Sequence, residues 1–89
     1  MTDIPSDTVS IRFFARLREE LDTEELTMAA APGLTAGVVL EQLASRGGAW
    51  AQLEGDRPVM IAVNQTMANA NTAVKAGDEL AFFPPVTGG

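Results

Sequence analysis

The 89-residue chain contains neither cysteine nor histidine, and these two absences remove most enzyme mechanisms. Without thiols there is no disulfide and no thiolate nucleophile. Without imidazole there is no side chain that titrates near neutral pH for proton transfer. Together the two absences take away the ligands of nearly every transition-metal site, so no metal is expected. No GxxxxGK[ST] loop is present either, so any ATP that the chain's chemistry requires has to be bound by another protein.

Positive charge is also scarce. Six basic residues stand against 12 acidic ones, a formal net charge of −6. Most of the surface therefore repels nucleic acid and anionic membrane, and a basic protein partner suits it better, although an acidic excess also serves solubility. No apolar run approaches the roughly 20 residues of a membrane span, and the start MTDIPSD lacks the basic and apolar regions of a signal peptide. The sequence is therefore expected to be cytoplasmic. At this length there is room for one small core. With 46% hydrophobic and 20% charged residues, the chain has ordinary globular usage and is expected to fold by itself.

Residues 1–7 are polar, hold Pro5 and show no period, and read as a loose leader. Residues 8–14, TVSIRFF, alternate, with Val9, Ile11 and Phe13 on one face and Ser10, Arg12 and Phe14 on the other. Phe14 is the anomaly, a large aromatic on the polar face. Residues 15–21, ARLREEL, predict a short helix with Leu17 and Leu21 on one side. Residues 24–30 alternate again, with Leu26 and Met28 opposite Glu25 and Thr27, and predict a second strand antiparallel to the first, stopped by Pro32 and Gly33.

Thr35 is suited to cap a main helix in which Val39, Leu40 and Leu43 recur at helical spacing, with Gly47 and Gly48 ending it. Trp50 and Leu53 read as a loop folded onto the core. Pro58 starts VMIAV, a strand in which Val59, Ile61 and Val63 share a face. Asn64 and Gln65 form a turn, and Met67 falls in a short segment beyond it. Ala76, Gly77 and Asp78 form a second turn into the strand of residues 79–83. There Leu80 and Phe82 point one way, and Glu79, Ala81 and Phe83 the other.

This order predicts an α+β chain of the β-grasp, or ubiquitin-like, class: a mixed sheet packed on one main helix, with a short second helix. The domain is expected to span residues 8–85, with residues 86–89 an extended tail. In such a fold the first and last strands are central neighbours and the helix covers one sheet face only. Phe14 and Phe83 then lie on the open face with Met67 near them, an apolar cluster at the root of the tail and a candidate partner surface.

Pro84 and Pro85 close the domain, fix φ and aim the tail off the sheet. The tail runs through Val86 and Thr87 to Gly88 and Gly89. Two glycines make the thinnest peptide available and can enter a channel that rejects side chains; by themselves they are also what a frayed end looks like. Ordering residues 86–89 costs about 4 to 8 kcal/mol, at 1–2 kcal/mol per residue. Burying Phe14, Met67 and Phe83 returns about 1.5–3 kcal/mol each. The terms are comparable, so a docking patch at the root makes a reaching tail feasible. A terminal carboxylate is ionised at neutral pH and a poor electrophile until activated, and adenylation by ATP is the usual activation.

The segments SIRFFARLREEL and AVNQT, with GDELAFFPPVTGG, resemble the MoaD-type sulfur carriers, the small subunits of molybdopterin synthase. The resemblance implies that Gly89 is adenylated by an E1-like enzyme, which uses the ATP, and is then thiocarboxylated. It further implies that the tail enters the large subunit to deliver sulfur to cyclic pyranopterin monophosphate, in a complex with two copies of each subunit. Phe14, Met67, Phe83, Pro84, Pro85, Val86, Thr87 and Gly88 would then contact partners, Gly89 would be the reacting residue, and the isolated chain would be a carrier with no bound cofactor. A carrier for thiazole synthesis or another thiolation pathway ranks second and a ubiquitin-like protein modifier third.

Overall fold

A computed structural model describes residues 7–55 and 58–85. In chain order it contains β1 (Thr8–Phe13), α1 (Ala15–Leu21), β2 (Glu25–Ala29), α2 (Ala36–Ala44), a 3₁₀ helix (Gly48–Glu54), β3 (Met60–Val63), β4 (Thr66–Ala68) and β5 (Glu79–Phe83). One five-stranded sheet results, in the order β2-β1-β5-β3-β4. β1 and β5 are parallel neighbours, and the other adjacent strands run antiparallel. The β-grasp expectation holds, with the first and last strands side by side inside the sheet.

Alternation decides which face closes. Val9, Ile11, Phe13, Leu80 and Phe82 are at most 1% exposed. They form one core with Leu17 and Leu21 of α1, Val39 and Leu43 of α2, and Leu53 of the 3₁₀ helix. Each such side chain contributes about 1.5–3 kcal/mol by leaving water. All three helical segments therefore pack on the same side. Trp50, read as packing, meets Phe13 edge to face at 5.5 Å, and Arg46 stacks 4.6 Å over its ring.

Local chemistry sets the boundaries. β1 stops at Phe13, one residue earlier than alternation predicts, because Ala15 takes a left-handed φ of 54° and turns the chain into α1. Phe14 is left as the extended residue before the helix. Thr35 caps α2 as expected, its hydroxyl accepting from the Val38 N–H at 3.2 Å. α2 ends at Ala44, short of the glycines, where the Ser45 hydroxyl bonds the Gln42 carbonyl at 2.6 Å. The segment carrying Trp50 and Leu53 is a 3₁₀ helix and not a plain loop. Asn64 and Gln65 both have positive φ, 51° and 68°, as a two-residue hairpin turn that follows the strand twist requires. β3 starts at Met60, two residues after Pro58. Asp7, assigned to the leader, accepts the Ala30 N–H at 2.7 Å and prolongs the β1–β2 pairing. Residues 1–6 of the leader lie outside the described residues.

The β4–β5 connection is held at several points, two of which involve residues whose replacement has a clear expected effect. At the first, the Ala36 and Gly37 N–H groups donate to the Thr72 and Ala70 carbonyls at 3.0 and 2.8 Å, so the loop after β4 satisfies the start of α2. A Cβ on Gly37 would sit 3.0 Å from both the Ala70 Cβ and its carbonyl oxygen. The loop cannot retreat without losing the bond from Gly37. Gly37→Ala is therefore expected to destabilise by about 1 kcal/mol or more, strain outweighing the better helix propensity of alanine. For a domain of this size the melting temperature should fall by roughly 4–8 °C per kcal/mol.

At the second joint, the Asp78 carboxylate accepts the Lys75 N–H at 2.8 Å and the Asn64 amide at 3.0 Å, while Asn64 accepts the Glu79 N–H at 3.0 Å. The Lys75 N–H, then the Asn64 side chain, hold the Asp78 carboxyl below its ordinary value. A depressed folded-state value means the stabilisation is present above the ordinary carboxylate pKa of about 3.9 and is lost as pH falls through the folded value. Asp78→Ala should thus melt below wild type at pH 7, and the gap should narrow on acidification below about pH 4, as thermal melts over a pH series would register.

Candidate functional site

The sheet face opposite the core has two halves, and strand register assigns them. Toward β2 it carries Thr27, Glu25, Ser10, Arg12 and Glu79. Arg12 and Glu79 approach to 3.6 Å with both side chains more than a third exposed, a surface pair worth at most about 1 kcal/mol. Toward β4 the same face is apolar. Ala81 pairs with Ala62, which pairs in turn with Met67, and Phe83 pairs with Met60.

Phe14 extends this apolar half. Its N–H donates to the Phe82 carbonyl at 3.2 Å, carrying the parallel pairing one residue past β1. Its backbone is extended, φ −129° and ψ 158°, so its side chain leaves the sheet opposite Phe13, on the side of Phe83. Phe14 is 43% exposed and Met67 58%, while Phe83 is half-buried. The left-handed Ala15 directly after Phe14 lets the chain leave the sheet without carrying this ring into the core.

Phe14 and Phe83 thus share one face, as alternation predicts, and the register of β4 on β3 brings Met67 to the same face. Pro84 and Pro85 follow β5 directly and are half-exposed. Val86, Thr87, Gly88 and Gly89 lie outside the described residues. Sequence reasoning overlooked Met60 and Ala62, although the alternation in VMIAV that sends Val59, Ile61 and Val63 to the core sends these two to the open face just as firmly.

Chemically, the described residues offer a surface and no reaction centre. Among them no group of three or more acidic, histidine or cysteine side chains is placed to hold a metal, and no helix is long and apolar enough to cross a membrane. An open depression of about 440 Å³ lies between the turn at Pro32 and Gly33 and the segment at Val74 and Lys75. None of the residues predicted to contact partners lines it.

The sequence profile of the ThiS family matches residues 11–89. The molybdopterin synthase sulfur carrier subunit of Haemophilus influenzae is 41% identical over 81 residues, covering 91% of this chain and 99% of that protein. Among solved structures, Haloferax volcanii small archaeal modifier protein 1 superposes with a TM-score of 0.72 at 30% identity, over 89% of this chain and 98% of that one. A chain from the complex of subunits 1 and 2 of the molybdopterin-converting factor of Helicobacter pylori gives a TM-score of 0.61 at 26% identity, over 92% and 99%.

Proposed function

The chain belongs to the ThiS family, and on that premise we propose that it is a sulfur carrier in molybdopterin biosynthesis, the sulfur-donor subunit of molybdopterin synthase. The observation that carries this reading is the 41% identity to a molybdopterin synthase sulfur carrier subunit over nearly the whole of both chains. The open face adds support, because its apolar half lies at the root of the segment that would carry the reacting group.

In this reading the chain contributes binding and delivery, and other proteins contribute the catalytic groups. The Gly89 carboxylate attacks the α-phosphorus of ATP held by an E1-like activating enzyme, and pyrophosphate leaves. Sulfide-level sulfur, HS−, then attacks the activated carbonyl and displaces AMP, leaving a thiocarboxylate on Gly89. The apolar half of the open face docks on the large subunit, where the thiocarboxylate sulfur bonds to a carbon of cyclic pyranopterin monophosphate and water then cleaves the bond between that sulfur and the Gly89 carbonyl, returning the carboxylate. These steps take place in the cytoplasm, and the synthase that receives the sulfur is a complex with two copies of each subunit. The carrier's role is positional: it brings one reactive group to a fixed geometry, which converts a bimolecular encounter into a local reaction.

The likeness to a small archaeal modifier protein favours one further reading, in which the activated Gly89 passes to amines of other proteins. Product separates the two. Activated chain added to the large subunit and cyclic pyranopterin monophosphate should give molybdopterin. A terminus found in cells chiefly as isopeptides on other proteins would overturn the carrier reading.

A further inference from the structure

Ala62 is only 8% exposed yet stands outside the contiguous core. The buried side chains of all three helical segments go to the opposite face, so its low exposure comes from what surrounds it on the open side. Across the strands it is flanked by Met67 and Ala81, and Ala81 is flanked in turn by Arg12. Directly paired side chains stand about 4.5–5.5 Å apart, and same-face residues along a strand roughly 7 Å apart. Two methyl groups therefore lie side by side on a floor one strand spacing wide. The longer side chains of Met67 and Arg12 rise at its ends, and those of Met60 and Phe83 along one side.

Resting on the carrier reading above, we infer that Ala62 and Ala81 floor a socket that receives one apolar side chain of the large subunit. The occupant follows from where the tail starts. β5 ends at Phe83 and Pro84 and Pro85 follow it, so the four residues 86–89 can place Gly89 at most roughly 13 Å further on. A protein that accepts Gly89 within that reach comes up against the end of β5, where Phe83 and Met60 present this face. Met60, Met67 and Phe83 are apolar, and the charged Arg12 and Glu79 beyond Ala81 pair with each other at 3.6 Å. The matching group is therefore an aliphatic or aromatic side chain seated toward the Met60 and Phe83 side, desolvated on insertion as the central anchors of interfaces are. The two alanines act by being small, and they are affinity-determining residues although each offers little contact area itself.

The socket and a flat patch predict opposite results. If the face were flat, Ala81→Leu would add apolar contact and leave binding equal or tighter. If it is a socket, the added side chain occupies the anchor's place. Titrating the intact chain against the large subunit of the same organism, we expect Ala81→Leu to raise Kd at least tenfold, with a melting temperature no lower than wild type because the new side chain faces solvent. Ala81→Val should show a smaller rise of the same sign, and it serves if the leucine variant folds poorly. Ser10→Leu, on the polar half of the same face, should leave Kd within twofold. A Kd for both Ala81 variants equal to or below that of wild type would overturn the socket while leaving the carrier reading intact. A wild-type chain that does not bind the large subunit at all would overturn both.

Discussion

A chain that lacks Gly89, or that carries one residue beyond it, should form no molybdopterin in a reconstituted system and should melt as the wild type does. The reacting group in the proposed function is a single carbonyl at the end of a thin arm. Removing one residue shortens the arm by about 3.3–3.6 Å, and adding one moves the carboxylate past the activating site by the same distance. A displacement of about 1 Å is enough to cost roughly a hundredfold when reacting groups must be aligned. The deletion still leaves a glycine carboxylate on Gly88, so its failure would isolate reach, and not chemistry, as the cause. The fold should not notice either change, because the core ends at Phe82. Molybdopterin formed at the wild-type rate by either variant would contradict the account.

Phe83→Asp should weaken large-subunit binding by roughly ten- to a hundredfold, from about 1.5–3 kcal/mol of lost apolar burial. Leaving a carboxylate unpaired in the interface would add to that cost. The effect on stability should be small by comparison. Phe83 is half-buried beside Met60 on the open face, and its neighbour Phe82 is fully buried in the core. Phe82→Asp is the matched control, placing the same charge one residue away on the other face, and it should unfold the domain. Calorimetry of binding and thermal melts of both variants check the pair. A melting temperature for Phe83→Asp as low as that of Phe82→Asp would place Phe83 in the core.

That one-residue contrast shows why so much of the fold was legible in the sequence. Strand periodicity placed Val9, Ile11, Phe13, Leu80 and Phe82 in the core and Phe14 and Phe83 opposite them. The Thr35 cap, the short helix Ala15–Leu21 and the Asn64–Gln65 turn follow from local chemistry that tertiary packing did not override. Boundaries were less legible. The end of β1 depends on a left-handed φ at Ala15, a residue with no intrinsic preference for that conformation. The 3₁₀ turn under Trp50 depends on what its ring meets, Phe13 from the other end of the sequence.

The candidate site divides in the same way. Phe14 and Phe83 stood out as large apolar residues on the open face that strand alternation assigns, and Met67 as an apolar residue in the short segment beside them. Met60 did not stand out, because it sits in a run of apolar residues where only the register shows which way each one faces. Ala62 and Ala81 carry no signal in composition or hydropathy. Their role depends on being small among larger neighbours contributed by four different strands, and pairing across strands brings those neighbours together. With Met60 added, the apolar groups beside the tail number four, and burying them at about 1.5–3 kcal/mol each more securely offsets the roughly 4 to 8 kcal/mol of ordering residues 86–89.

The central claim is that Gly89 is the sulfur-bearing residue, and intact-mass analysis tests it most directly. The chain would be incubated with ATP, an E1-like activating enzyme and a sulfur source, then weighed whole and after digestion. The account predicts one oxygen-for-sulfur exchange, confined to the C-terminal peptide and absent when ATP is withheld. An unchanged terminus under conditions that thiocarboxylate a related carrier, or sulfur found on any other peptide, would contradict it.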